Sequence, residues 1–320
     1  TAGIQALSTD QIAVLETRDL QVLKTTQIQA LTTTQLSTGV TTTQVQALTT
    51  TQVAAFTTSQ VNAGLTTDQV VALGTNQVSA ITTADIRAFT TDQIQALETR
   101  DLAVLTTGQI AALTTSQVNA LTTDQIVALG TNQASAITTA GIQALGTDQL
   151  QAMETRDLAV LTTGQIAALT TKQVNALTTD QVVALGTNQV SAITTAGIQA
   201  MSTDQIAVLE TRDLAVLKTT QIQALTTVQI STGLTTTQVQ ALTSTELAAL
   251  TTSQIKNGLT TDQVVAITST QVTAFTTAQV QAFGTDQIQA LETRDLAVLT
   301  TGQIAALTTS QVNALTTDQI

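Results

Sequence analysis

Residues 105–129 read LTTGQIAALTTSQVNALTTDQIVAL, and this stretch decides the fold because its pattern returns every eight residues. Counted from Thr106, the unit is T-T-x-Q-(I/V)-x-A-L, which defines positions 1 to 8. It runs through 38 complete units from Ser8 to Leu315, of which 34 have eight residues and four have nine. We therefore expect residues 1–320 to form a single continuous repeat array. The partial units at its two ends resemble interior ones, whereas terminal repeats of a solenoid are atypical, so we expect a window of a longer protein.

The period of eight excludes one long helix. Eight residues turn an α-helix by about 80° beyond two full turns, so the Ile and Leu columns would form no stripe. Threonine favours the first position of a helix over its interior. We therefore predict an all-α fold: a solenoid, or superhelical coil, of very short helices, one per repeat of eight or nine residues. Since a single unit cannot bury its own apolar face, the units must stack, with about three to three and a half per coil.

The alternative is a β-solenoid, because Thr, Val and Ile favour strands. Against it, the adjacent apolar residues at positions 7 and 8 break the two-residue period of a strand. Within the helical interpretation, positions 5, 7 and 8 are expected to face inward, with the small Ala allowing a close approach at the axis.

Two capping registers are open. If position 1 is the N-cap, T-x-x-Q is a capping box; if position 2 is, an Asp at position 3 lies in the first turn. Position 1 accepts Lys24 and Gly74, whereas position 2 is always Thr or Ser, so we favour position 2. The four nine-residue units each have a Gly at the end of the helical stretch, where a left-handed residue is expected, at Gly39, Gly64, Gly233 and Gly258.

A longer period overlies the short one. The variant ETRDL begins at five glutamates, Glu16, Glu98, Glu154, Glu210 and Glu292. The segment GTNQ begins 24 residues before three of them, at Gly74, Gly130 and Gly186. Gene duplication explains these blocks, and inserts of three units would preserve the phase of the coils.

The amino-acid composition excludes most kinds of catalytic and metal-binding site. The chain has no His, Cys, Pro, Trp or Tyr and a net charge of −12. Without imidazole or thiolate there is no usual base, nucleophile or zinc ligand. The acidic balance argues against nucleic acid and anionic membranes as partners, and no apolar run is long enough to span a membrane. We predict no enzyme activity and no catalytic, cofactor-binding or metal-binding residues.

Two charged patterns were weighed as sites. Glu98, Arg100 and Asp101 place acid, base and acid together, which suggests a ligand or metal clamp or, more simply, an ion pair at the surface or between neighbouring coils. Asp at position 3, as at Asp10 and Asp68, suggests calcium or, more simply, a favourable helix start. Active sites do not recur five times, so we favour the structural interpretation of both.

The units LTTDQIQAL and LTTGQIAAL resemble the short Thr- and Gln-rich repeats of giant secreted or surface-exposed bacterial proteins of the adhesin-like or haemagglutinin-like kind. The resemblance covers the whole sequence and implies export, attachment to the cell surface and self-association. The resemblance does not identify any functional residue in this chain. We therefore expect a structural protein that forms or extends an extracellular filament, stalk or sheath, with copies of itself as partner. The alternative is an ice- or surface-binding adhesin repeat region, since regular Thr arrays can present an ordered face.

Overall fold

The computed structural model describes residues 1–320. Its contacts divide the chain into two compact units, the first unit Thr1–Leu161 and the second unit Thr162–Ile320. Each unit is described by itself. The prediction of one continuous array over residues 1–320 stays a prediction.

Both units consist of short helices, one per repeat. In the first unit the α-helices are α1 (Ala2–Gln5), α2 (Thr9–Ala13), α3 (Thr17–Gln21), α4 (Thr25–Ile28), α5 (Thr42–Ala47), α6 (Thr50–Val53), α7 (Thr67–Val71), α8 (Thr75–Ala80), α9 (Thr83–Ala88), α10 (Thr91–Ala96), α11 (Thr99–Leu102), α12 (Thr107–Ala112), α13 (Thr115–Ala120), α14 (Thr123–Val127), α15 (Thr131–Ala136), α16 (Thr139–Ala144), α17 (Thr147–Ala152) and α18 (Thr155–Leu158). In the second unit they are α19 (Thr163–Ala167), α20 (Thr171–Ala176), α21 (Thr179–Val183), α22 (Thr187–Val190), α23 (Thr195–Ala200), α24 (Thr203–Ala207), α25 (Thr211–Leu214), α26 (Thr219–Ala224), α27 (Thr236–Ala241), α28 (Ser244–Ala249), α29 (Thr252–Gly258), α30 (Thr261–Ala266), α31 (Ser269–Val272), α32 (Thr277–Ala282), α33 (Thr285–Ala290), α34 (Thr293–Leu296), α35 (Thr301–Ala306) and α36 (Thr309–Ala314).

The helices stack as a solenoid within each unit, and there are no strands. A helix packs on the helix three repeats further along the chain, as α10 does on α13 and α12 on α15. The position-4 side chain reaches back four repeats, as described below. One coil therefore holds between three and four repeats. The prediction of an all-helical solenoid is confirmed, and the β-solenoid alternative is wrong.

Position 1, and not position 2, is the N-cap. Thr106 is extended, with φ −70° and ψ 158°, and its Oγ1 accepts from the Gln109 N–H at 3.2 Å. Gln109 Oε1 accepts in return from the Thr106 N–H at 2.8 Å, which completes a capping box. The predicted register was wrong by one residue.

The error arose because position 1 can cap a helix without a suitable side chain. Gln27 Oε1 still accepts from the Lys24 N–H at 2.9 Å, and Gln77 Oε1 from the Gly74 N–H at 2.8 Å. The glutamine at position 4 thus holds the helix start whatever stands at position 1.

Position 2 is exposed and has no part in the cap, as at Thr83 and Thr107. The Thr83 methyl nevertheless lies near the next coil, because a Cβ built on Gly108, three repeats later, would be 3.9 Å from Thr83 Cγ2.

We expect Thr106→Val and Thr114→Val each to lower the free energy of unfolding by about 0.5–2 kcal/mol, because each removes an N-cap acceptor. The neighbouring changes Thr107→Val and Thr115→Val keep the cap and serve as matched controls with a smaller loss. Urea denaturation midpoints of the four variants measure both. A larger loss at the two position-2 residues would contradict this register.

The core is built from positions 4, 5 and 8. Gln109 and Ile110 are almost completely buried, as is Leu113, whereas Ala112 at position 7 is half-buried. The prediction that positions 5, 7 and 8 face inward was therefore wrong at position 7. Positions 4 and 5 lie four and three residues before position 8, so the three share one helix face. Position 7 is also apolar, and for this reason the sequence suggested that it faces inward too.

The nine-residue units accommodate their extra residue by widening the helix. Three of them contain π-helical segments, Gln35–Gly39, Gln60–Gly64 and Gln229–Gly233. The Val40 N–H donates to the Gln35 carbonyl, five residues back, at 2.9 Å. No Gly in the chain has a positive φ, so the predicted left-handed residues are wrong. Close packing favours glycine there: a Cβ on Gly39 would lie 3.1 Å from Thr9 Cα in the preceding coil.

Candidate functional site: glutamine bridges and acidic units

The glutamine at position 4 joins successive coils. Gln125 Oε1 accepts from the Thr122 N–H at 2.9 Å. Its Nε2 donates to the Ile94 and Leu97 carbonyls, each at 2.8 Å, four repeats earlier. One buried amide thus binds the start of its own helix and the end of a helix in the preceding coil, groups that a short helix leaves without partners.

The same glutamine bridge recurs in both units. Gln52 Nε2 donates to the Leu20 and Leu23 carbonyls at 2.7 and 2.9 Å. In the second unit, Gln287 Nε2 donates to Ile255 and Leu259 at 2.8 and 2.6 Å. The amide is required because it supplies one acceptor and two donors at once. Glutamate lacks the donors when ionised, and aspartate is also shorter by one methylene.

Acidic side chains nevertheless occupy several position-4 slots. Apart from Asp19 in the first coil, these are buried: Asp85, Asp101, Asp157, Asp213, Glu246 and Asp295. Glu246 matches glutamine in length, and its Oε2 accepts from the Thr243 N–H at 2.7 Å. Its Oε1 is buried and has no hydrogen-bond partner.

The glutamine bridges on either side show what Glu246 Oε1 faces. Gln238 donates to residues 32 and 29 places earlier, and so does Gln254. The same register places Glu246 against the carbonyls of Leu214 and Leu217. Burial raises the pKa of Glu246, against the opposing effect of hydrogen bonds from Thr243. In its neutral form the carboxyl can donate where the amide would.

The ETRD units divide their charges between surface and core. Arg100 is exposed and lies 2.5 Å from the Glu98 carboxylate, but Asp101 is completely buried, with Oδ2 3.8 Å from Arg100. Neither Asp101 oxygen has a hydrogen-bond partner. The expectation of a surface ion pair describes Glu98 and Arg100, and it was wrong to place Asp101 there. The cause is that Asp101 stands in the buried position-4 slot.

Burial is the largest cause of the raised pKa at four of the buried aspartates. It raises the pKa of Asp101 against the attraction of Arg100, and it does the same at Asp157 and Asp213 beside their own arginines. At Asp85 the opposing effect is the Thr82 hydroxyl, which donates at 2.6 Å. In these four slots burial thus shifts the equilibrium towards the neutral carboxyl.

The ETRD and GTNQ segments are stacking partners. Helix α8 of a GTNQ unit packs on α11 of an ETRD unit, as α15 packs on α18 and α22 on α25. The ETRD helix α34 packs instead on α31, whose unit begins TSTQ, and there Ser269 Oγ donates to Asp295 Oδ1 at 2.6 Å. Their constant 24-residue separation was visible in the sequence, but nothing there showed that it joins neighbouring coils.

Nine stretches of the chain match the ALTTAQ repeat: residues 12–50, 41–75, 63–99, 94–131, 150–187, 182–209, 206–244, 258–293 and 288–320. The chain belongs to the ALTTAQ repeat family. In this chain the motif appears, for example, as ALTTDQ over residues 120–125, so its last residue is the bridging Gln125. The ALTTAQ repeat therefore contains both the cap and the bridge.

Other comparisons add little to the ALTTAQ assignment. No curated protein matches the chain significantly. Among solved structures, it is similar to the leucine-rich repeat-containing protein LegL7 from Legionella pneumophila at 10% identity and a TM-score of 0.20, over 75% of this chain and 79% of that one. So low a TM-score carries no argument about fold or function.

The sequence predicted no site residues in this ALTTAQ protein. In the structure no group of three or more acidic, His or Cys side chains is placed to hold a metal ion. None of the helices is both long and apolar enough to cross a membrane. The features that sequence reasoning missed are the bridging glutamines and the buried acids; the available signal was that position 4 is Gln in most units.

Proposed function

We propose that this ALTTAQ protein is a structural protein that forms or extends an extracellular filament, stalk or sheath by repeat stacking and self-association. The observation that carries the proposal is that the departures from the repeat are themselves periodic. The ETRD units recur, and positions 3 and 6 between them present similar exposed polar residues. A ligand pocket needs convergent groups at one place, whereas periodic groups suit periodic contacts that gain by multiplicity.

The glutamine bridges support a mechanical role. Each bridge ties a helix end in one coil to a helix start in another, so that within a unit the coils are linked by hydrogen bonds as well as by apolar packing. The proposed location outside a bacterial cell follows from the resemblance to giant surface proteins. It agrees with a chain whose charge is acidic and sparse.

Removing the ETRD cations tests self-association. We expect the fivefold variant with Arg18, Arg100, Arg156, Arg212 and Arg294 changed to Gln to need a roughly tenfold or greater protein concentration to assemble. Each exposed pair is worth only about 0–1 kcal/mol, but the effects of five add. Static light scattering across a concentration series measures the onset.

The matched control changes the same five residues to Lys and keeps the charge, so it should assemble nearly as the parent does. A salt series provides the second comparison, because screening should weaken the parent more than the Gln variant. Equal assembly of parent and Gln variant at every salt concentration would show that the arginines are not part of the contact.

The second candidate function is that of an ice- or surface-binding adhesin repeat. The position-2 threonines are the candidates for the binding face, because they are exposed, as at Thr107 and Thr115, and do not cap a helix. Thermal hysteresis of the purified protein discriminates between the two functions. A clear hysteresis in a chain that does not associate would favour ice binding.

A further inference from the structure

Each unit exposes valines at positions where the repeat usually has Ala or a polar residue. Their exposed fractions lie between 40% and 44%, although most large apolar side chains of interior repeats are buried. They are Val71, Val104, Val127 and Val160 in the first unit and Val183, Val216, Val265 and Val298 in the second. We call each set of four the valine edge of its unit. A single exposed valine is ordinary, so the regular recurrence is what needs an explanation.

The spacing places the first unit's four valines along one edge. Their repeats follow each other at intervals of four, three and four. These are the intervals at which coils meet, since helices pack three repeats apart and glutamines reach four repeats back. Val104 lies two residues after the end of α11, and Val127 is the last residue of α14; these two helices pack on each other. The first unit's valines therefore occur about once per coil, whereas in the second unit the intervals are four, six and four repeats.

The valine edge also carries charge of both signs. Every repeat with Val at position 6 has an exposed Asp at position 3: Asp68, Asp124, Asp180 and Asp262. The other four valines of the two edges stand at position 7 of ETRD units, which carry the exposed arginines Arg100, Arg156, Arg212 and Arg294. Arg100, Glu98 and Asp124 line one open groove. Repeats with an exposed Asp thus alternate, beside the valines, with repeats that carry an exposed Glu–Arg ion pair.

We propose that the valine edge is the surface on which a second copy of this chain docks. The inference rests on the proposed function of self-association and names its contact. Two observations favour a second copy over another partner. An edge of alternating Asp and Arg is complementary to itself when two copies pair about a two-fold axis. A partner must also share the axial spacing of the valines to engage several together, and another copy has that spacing.

The test changes Val71, Val104, Val127 and Val160 to Thr, which keeps their shape and adds a hydroxyl. Sedimentation velocity of the full chain over a concentration series reports the association. We expect the variant to associate at least tenfold more weakly than the parent. The matched control places four Thr at exposed position-6 glutamines in repeats without an edge valine, Gln29, Gln143, Gln199 and Gln281, and should behave as the parent. Circular dichroism confirms that all three are folded.

The outcomes separate the two proposals. If the parent stays monomeric at every concentration, the proposed function fails and the docking surface with it. If the parent associates and the valine variant does so equally well, the valine edge is wrong while self-association stands. Equal weakening by the glutamine control would also overturn the edge, since association would then depend on the surface in general.

A charge-complementation experiment provides a second test of the valine edge that does not depend on the folding of the valine variant. One variant changes Asp68, Asp124, Asp180 and Asp262 to Lys, and another changes Arg100, Arg156, Arg212 and Arg294 to Glu. Each alone should associate at least tenfold more weakly than the parent, and an equimolar mixture should recover association between unlike chains. A mixture no better than either variant alone would contradict pairing of the two charges across the edge.

Discussion

Gln125→Met is expected to lower the free energy of unfolding by roughly 2–4 kcal/mol, although methionine nearly preserves the side chain's length. The change removes the donor to the buried Leu97 carbonyl and the acceptor for the part-buried Thr122 N–H. Leaving a buried polar group unpaired costs about 1–3 kcal/mol. The Ile94 carbonyl keeps its hydrogen bond from the Leu97 N–H, so losing the Gln125 donor there adds little to the destabilisation. Urea denaturation of parent and variant measures the difference.

The control is Gln95→Met, thirty residues earlier at exposed position 6. A surface substitution of this kind should change stability by no more than about 0.5 kcal/mol. Comparable losses at the two positions would mean that position 4 is conserved within the chain for some reason other than the glutamine bridge.

Glu246→Gln is expected to stabilise the protein at neutral pH by about 1–3 kcal/mol, because it restores a donor to buried carbonyls. Burial raises the pKa of Glu246 in the folded state. Its favourable contribution is therefore complete below the unfolded pKa, about 4.5, and is lost as the pH rises through the folded value. The difference between variant and parent should be small in acid and grow towards neutral pH. Denaturation midpoints across a pH series measure it.

The reciprocal change, Gln125→Glu, introduces the same acid into an ordinary bridge. It should destabilise the protein at neutral pH and recover part of the loss on acidification. If Glu246→Gln shows the same advantage at every pH, protonation of the carboxyl does not supply the missing donor, and the role assigned to Oε1 is wrong.

The sequence alone predicted the helical solenoid and nearly the number of repeats per coil. Periodicity is enough for this, because eight residues with apolar positions 5 and 8 fit one short helix and little else. The capping register was missed because comparison of side chains at position 1 cannot show that Gln109 Oε1 binds the backbone of Thr106.

The core was only partly predictable for a similar reason. Glutamine is normally exposed, and nothing in the sequence indicates that the Gln125 amide is buried and donates to the Ile94 and Leu97 carbonyls. The burial of Asp101 follows from the same slot. The sequence showed that each GTNQ segment precedes an ETRD unit by 24 residues, as Gly74 precedes Glu98. Only the structure shows that this spacing brings the two units into contact in neighbouring coils.

Electron microscopy of the purified chain over a rising concentration series tests the central claim most directly. The account predicts assemblies larger than one chain that grow in number and size with concentration and shrink when salt is added. Single particles of one constant size at every concentration and ionic strength would contradict it.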